Sequence, residues 1–248
     1  MPEDLKDLKE HYLRCVRCGQ CRSVCPVFEV VRNETATPRG KVFLAHLLAA
    51  GEIEADSQIQ AQLSQCLLCR SCTKECPSAI PVHQIVTAAR AELTEKVPSP
   101  VKRMVFKSIW TKPRRLNLAA SLTRNIQALG LDRLGLHLHL LPPGFAMPGR
   151  LPRRPARTTI PAITPAAGKT RLRVGYFLGC STNFLFPGVA ASTAAVLSHL
   201  GCEVVIPPEL KCCGLPQLAS GEAAAASALA SANSEVFRRL NVQAVVSD

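Results

Sequence analysis

Two cysteine runs near the start of this chain constrain its fold more than anything else in it. The first is Cys15-Val-Arg-Cys18-Gly-Gln-Cys21-Arg-Ser-Val-Cys25-Pro26 and the second is Cys66-Leu-Leu-Cys69-Arg-Ser-Cys72-Thr-Lys-Glu-Cys76-Pro77. Both fit C-x2-C-x2-C-x3-C-P. Two-residue spacers let three consecutive thiolates curl around one iron–sulfur cubane, each meeting a different iron. The fourth cysteine points away to the other cluster, and proline turns the chain out of the loop. On this logic Cys15, Cys18, Cys21 and Cys76 hold one [4Fe–4S] cluster, and Cys25, Cys66, Cys69 and Cys72 hold the other. The crossing ties both runs into one domain, so metal binding and folding are coupled. Structural zinc is the competing use of eight cysteines. Zinc needs cysteine pairs, however, and has no use for a third at the same spacing or for a trailing Cys-Pro, and both recur here.

The 12 cysteines of the 248 residues do not read as a disulfide framework. The chain is long, and its start (Met1-Pro-Glu-Asp-Leu-Lys-Asp-Leu-Lys-Glu10) is charged throughout, without a secretory apolar core. No apolar run approaches the ~18 residues that would cross a bilayer. The expected compartment is the reducing cytoplasm. The net charge of +12 is concentrated: residues 98–173 hold 15 Lys and Arg against the single acid Asp132, while the rest of the chain has 15 basic and 17 acidic residues. A nucleic-acid partner is not expected from that stretch. Stacking residues are limited to Phe106, Trp110 and Phe145, and many of its arginines sit among prolines. His137 and His139 alternate with leucines with no cysteine nearby, and are read as surface or helix-packing residues.

Residues 1–97 form an all-helical block. Thr37 suits an N-cap, Pro38 the first turn and Gly51 the position past the end of a helix, with Phe43, Leu44, Leu47 and Leu48 as its apolar face. A second helix is expected from about Ser57 to Leu67, and a third after Pro81 with Val82, Ile85, Val86, Ala89 and Leu93 on one side. Residues 98–141 read as short amphipathic helices, and residues 142–170, with 7 prolines, as an extended linker. From Arg171 to Asp248 the pattern is strand–helix–strand–helix–strand, which calls for a parallel sheet. The fold class is therefore α+β and multidomain.

Ligands of open α/β sheets bind at the carboxyl ends of strands. Cys180 follows the first of these strands, and Lys211-Cys212-Cys213-Gly214 follows the second, so Cys180, Cys212 and Cys213 are expected at one edge as a possible further iron–sulfur site. Buried small residues are the alternative there. Cys202, at the start of a strand, is read as core. Arg17, Arg22, Arg39 and Arg70 lie near the ferredoxin-type runs, either tuning their clusters or forming a solvated face.

The 40 residues between Cys25 and Cys66 resemble the helical ferredoxin domain of respiratory iron–sulfur subunits. Taken with Thr37-Pro-Arg-Gly-Lys41, the basic linker and the Cys-Cys-Gly segment, the whole chain resembles the iron–sulfur subunits of bacterial glycolate oxidase. The wider family includes subunits of anaerobic glycerol-3-phosphate dehydrogenase, lactate-utilisation proteins and heterodisulfide reductases. The resemblance implies an electron-transfer subunit whose partner flavoprotein carries FAD and oxidises a 2-hydroxy acid, with electrons passed singly to a quinone or other acceptor. No Gly-x-Gly-x-x-Gly or Walker fingerprint appears in this chain. It also implies that the basic stretch 98–157 docks either an acidic partner or an anionic membrane surface such as the inner face of the membrane. In the family a C-x-x-C pair follows the Cys-Cys-Gly segment, and a second copy of the domain comes after it, so the α/β domain is expected to be incomplete here. A disulfide-reducing role for the Cys-Cys-Gly site is the rival reading, disfavoured by those missing cysteines.

Overall fold

The computed structural model describes residues 4–137 and 149–247. The chain forms two compact units, one of residues up to 106 together with 214–227, the other of 107–213 together with 228–248.

The first unit is helical. A 3-10 turn, Leu5–Leu8, leads into α1 (Lys9–Leu13), followed by α2 (Pro26–Val31), α3 (Pro38–Ala50), α4 (Ser57–Ser64), α5 (Ser71–Lys74), α6 (Val82–Lys96) and α7 (Pro100–Met104). Helix α3 starts where capping chemistry dictates: the Gly40 N–H donates to Thr37 Oγ1 at 2.9 Å, and Gly51 ends the helix in the left-handed region. Asp56 starts α4 in the same way, accepting from the Ile59 N–H at 2.7 Å. Helix α4 ends at Ser64, sooner than the sequence suggests, which leaves Cys66 and Leu67 in a loop. Helix α6 buries the expected Val82, Ile85, Val86, Ala89 and Leu93 against Leu5, Leu8, Leu48 and Leu63.

One face differs from expectation. Helix α3 buries Val42, Ala45 and Leu48 together with Lys41, whereas Phe43 is 40% exposed. The Phe43 ring lies under the Arg17 guanidinium, 4.5 Å from its centroid. Apolar periodicity misplaced the stripe because a lysine occupies an inward position.

The second unit holds α8 (Pro113–Ala128) and α9 (Leu131–His137) from the basic stretch, then a four-stranded sheet. Its elements are β1 (Ile163–Thr164), β2 (Leu172–Phe177), α10 (Cys180–Phe184), α11 (Pro187–His199), β3 (Cys202–Val205), α12 (Leu215–Ala219), α13 (Ala223–Arg239) and β4 (Ala244–Ser247), although α12 and the first turn of α13 cluster with the first unit. Strand order is β1-β3-β2-β4, with β2 parallel to both β3 and β4 and β1 antiparallel to β3. The core is formed by Val174, Tyr176, Leu178, Ala190, Val204 and Ile206, joined by Cys202 as expected. Pro187, which cannot donate a backbone hydrogen bond, starts α11 close to the helix expected over 184–200, and the short α10 precedes it. The proline-rich stretch does more than link: it supplies the buried Ala156 and the edge strand β1. His137 is exposed at the end of α9, and His139 lies outside the described residues.

The packing of 214–227 depends on two residues of α6. Arg90 Nη1 donates to the Ala219 carbonyl at 2.8 Å and Thr94 Oγ1 to the Ser220 carbonyl at 3.1 Å. Gly221 follows with φ +85°, and a Cβ there would sit 2.3 Å from the Arg90 carbonyl oxygen and 2.4 Å from Thr94 Oγ1. No side chain fits that approach. Gly221→Ala is therefore expected to cost about 1–3 kcal/mol in denaturant unfolding. Amide exchange across 214–227 should quicken while that of β2 stays slow.

Candidate iron–sulfur centres

The eight cysteines of the two runs divide between two hollows in the first unit. Cys15, Cys18, Cys21 and Cys76 line one, with Arg39, Gln20 and Ile80. Cys25, Cys66, Cys69 and Cys72 line the other, with Lys41, Pro26, Pro38, Leu68 and His83. The last cysteine of each run thus stands with the first three of the other. None of the twelve cysteines is in a disulfide. The thiols ring these hollows instead of converging. Among the described residues no group of three or more His, Cys, Asp or Glu side chains is placed to hold a single metal ion. Such a ring suits a polynuclear core in which each thiolate meets its own iron.

Backbone conformation supports the same fit. In the first run Arg17 and Gly19, either side of Cys18, have φ of +55° and +88°. In the second, Leu68 and Arg70, either side of Cys69, have φ of +54° and +65°. A non-glycine residue in the left-handed region costs roughly 1 kcal/mol or more and persists only where its surroundings impose it. Three such residues recur at matching positions. Left-handed residues alternating along a loop turn successive N–H groups to one side, which forms a cradle for an anionic group.

Burial and crowding of thiols set the electrostatics. The Cys72 thiol is pushed up to about 12, first by burial and then by the neighbouring Cys66, Cys21, Cys69 and Cys25. Burial likewise raises Cys21, with Arg39 opposing. Cys69 is held low by Ser71, whose Oγ lies 3.5 Å from its Sγ. So many thiolates can share this volume only if positive charge accompanies them, as iron would supply.

The segment Thr37-Pro-Arg-Gly-Lys41 serves both hollows. Thr37 and Pro38 begin α3. Gly40 allows the turn to press on the preceding loop, since a Cβ there would lie 2.2 Å from the Glu34 carbonyl oxygen. Arg39 points to the first hollow, held by Glu34 Oε1 at 2.5 Å and by the Arg17 carbonyl at 2.8 Å. Lys41 is 1% exposed, lines the second and donates to the Ala36 carbonyl. Burial lowers the Lys41 pKa, while the Cys66 and Cys25 thiolates resist that shift. Arg90, 6% exposed, donates to the Leu63 carbonyl at 2.7 Å and the Cys66 carbonyl at 2.6 Å, which fixes the entry to the second run. Sequence reasoning missed Lys41 and Arg90. For both, the signal was the position of a charge on an otherwise apolar helix face, and Lys41 also closes the Thr37-Pro-Arg-Gly-Lys41 segment.

In the second unit Cys180 and Cys212 meet, and the exposed Cys213 is near enough to act on Cys180 electrostatically. Cys180 opens α10 just beyond β2, and its pKa falls to about 7, first through the hydrogen bond with Cys212 and against burial and Cys213. Asn233 on α13 secures the Cys-Cys turn, with Nδ2 donating to the Cys212 carbonyl at 2.9 Å and Oδ1 accepting from the Lys211 N–H at 2.9 Å. Cys180 and Cys212 face a hollow with Trp110, Asn183 and Arg157. The Asn233 clamp is a further feature with no sequence signal beyond an asparagine in a helix.

Two sequence families match this chain. The "4Fe-4S dicluster domain" covers residues 11–80 and the "Cysteine-rich domain" residues 174–248. The "Probable glycolate oxidase iron-sulfur subunit" of Bacillus subtilis is 33% identical over 95% of this chain and 56% of its own length. The "Glycolate oxidase iron-sulfur subunit" of Escherichia coli is 28% identical over 81% of this chain and 46% of its own. A lactate utilization protein of an Exiguobacterium species is 37% identical over a shorter stretch, 29% of this chain and 30% of its own length. The chain spans about half the length of the glycolate oxidase relatives it matches. No solved structure matches it. Among the described residues no helix is long and apolar enough to cross a membrane. Paired cysteine runs, the cysteine-rich α/β domain and these matches together show a chain that joins a 4Fe–4S dicluster domain to a cysteine-rich domain and is similar over most of its length to the glycolate oxidase iron–sulfur subunits.

Proposed function

We propose that this chain is an electron-transfer subunit of a flavin-dependent 2-hydroxy-acid dehydrogenase of the glycolate oxidase type. In this reading Cys15, Cys18, Cys21 and Cys76 hold one [4Fe–4S] cluster, and Cys25, Cys66, Cys69 and Cys72 hold a second. The observation that carries it is the crossed division of eight thiols between two neighbouring hollows. When bound, each cluster supplies one-electron redox chemistry at a potential set by its surroundings.

The residues of this chain account for the rest. The two thiol rings fix the sites side by side, so a two-electron oxidation on a partner can be taken up as two single electrons. Cys18 and Cys69 are the exposed members of their rings, one in each, and offer short paths to a donor and an acceptor. FAD and the hydroxy acid belong on a partner flavoprotein. The names of the Bacillus and Escherichia relatives favour glycolate, and subunits of lactate-, glycerol-3-phosphate- and heterodisulfide-linked systems are the alternatives. The basic stretch 98–157 suits an acidic partner or the anionic inner face of a membrane. Cys180, Cys212 and Cys213 offer a further iron–sulfur site.

The crossing itself is testable. Cys76→Ser, although it lies in the second run, should abolish the paramagnetic signal of the cluster held by Cys15, Cys18 and Cys21 and leave about four of eight ferredoxin-type irons. Cys25→Ser should do the converse. Loss of the cluster within the mutated run would rule out the assignment. Removal of iron by an anaerobic chelator should also cost helical circular dichroism and lower the thermal midpoint of the first unit by ~10 °C or more, since the metal completes its core. An unchanged midpoint would mean that the thiol rings stand without metal.

A further inference from the structure

Lys41 is an unusual residue to bury. It is 1% exposed on an inward position of α3, and among the described residues its ammonium has one hydrogen-bond partner, the Ala36 carbonyl. Among the same residues no carboxylate lies within ion-pair reach of it. What it does face is the hollow ringed by Cys25, Cys66, Cys69 and Cys72. A buried ammonium without a counter-charge is strongly unfavourable, and side chains of its length almost always reach water instead. Its position therefore needs an anion in that hollow. The first hollow is served differently. Arg39 is more exposed, and Glu34 already neutralises it at 2.5 Å.

We infer that Lys41 is a potential-setting residue, a buried counter-charge that raises the reduction potential of the cluster held by the second hollow selectively over that of the first. The inference rests on the proposed assignment of the eight cysteines. Four thiolates around an oxidised cubane carry a net charge of about −2, and one electron makes it about −3, so a fixed cation nearby favours the reduced form. Two terms compete. The apolar lining of this hollow (Val24, Val27, Leu67 and Val82 among it) resists the added charge, while Lys41 favours it from inside the same low-dielectric space. Screening there is weak, because Lys41 is 1% exposed and no carboxylate among the described residues pairs with it. An electron entering the pair is thereby biased toward the second site. This gives the two clusters different roles although their cysteine motifs are identical in spacing.

The test uses the full chain purified without oxygen and reduced stepwise with dithionite, with each cluster followed by EPR. Serine at Cys69 identifies the signal of the second site. Lys41→Met removes the charge and keeps the length, and Lys41→Gln keeps a donor for the Ala36 carbonyl should methionine not load. Lys41→Arg keeps the charge. A neutral variant with wild-type iron content should shift the second site's one-electron equilibrium toward the oxidised form by tenfold or more, about 59 mV, with the first site moved by less than a third of that. The arginine variant should stay near wild type. A neutral, fully loaded variant whose two potentials are unchanged, or shift equally, would overturn the inference. Iron content and the count of paramagnetic centres test the cluster assignment separately, so failure of one is not mistaken for failure of the other.

Discussion

The first unit is organised around the exchange of one cysteine between two loops. Cys76 closes the ring begun by Cys15, Cys18 and Cys21, and Cys25 closes the ring of Cys66, Cys69 and Cys72. The two runs lie 40 residues apart in sequence, so the helices between and after them must return the chain to its starting point. Helix α3 does this by carrying an address for each hollow within one turn, Arg39 for one and Lys41 for the other. Helix α6 does it through Arg90, which reads the carbonyls of Leu63 and Cys66 as the second run begins. A small apolar core alone would be a weak reason for such precision, and under the proposed assignment coupling to metal would add stabilisation.

The second unit follows different physics with the same outcome. A parallel pair of strands brings the loops after β2 and β3 to one edge, and there Cys180 meets Cys212, with Cys213 next in the chain. The sheet supplies the position, while Asn233 and Arg157 supply the local fixing through backbone carbonyls and amides. Buried polar side chains thus act as clamps in both units, each directing its hydrogen bonds to loop backbone that would otherwise be unsatisfied.

Much of this was legible in the sequence, and the reasons are local. Cysteine spacing, the Thr37-Pro38 start and Gly51 end of α3, and the stripe of α6 are short-range features whose chemistry is complete within a few residues. Cys202 as a core residue and the meeting of Cys180 with Cys212 followed from strand periodicity and sheet topology. What could not be read were long-range polar contacts. Lys41 and Arg90 look like surface charges until their partners, up to 129 residues away in the case of Arg90 and Ala219, are in place. The inward face of α3 was misread for the same reason, because a lysine among the buried positions shifts the apparent stripe toward Phe43. The edge strand β1 was hidden by prolines that suggest a linker, since two residues of pairing leave almost no periodic trace.

The central claim is that eight thiols in two crossed rings hold two four-iron clusters. It is tested most directly by measuring iron, acid-labile sulfide and zinc per chain in anaerobically purified protein in which Cys180, Cys212 and Cys213 are replaced by serine. About eight irons and eight sulfides with negligible zinc are the predicted result. About two zincs and no sulfide would contradict the account and make the rings structural.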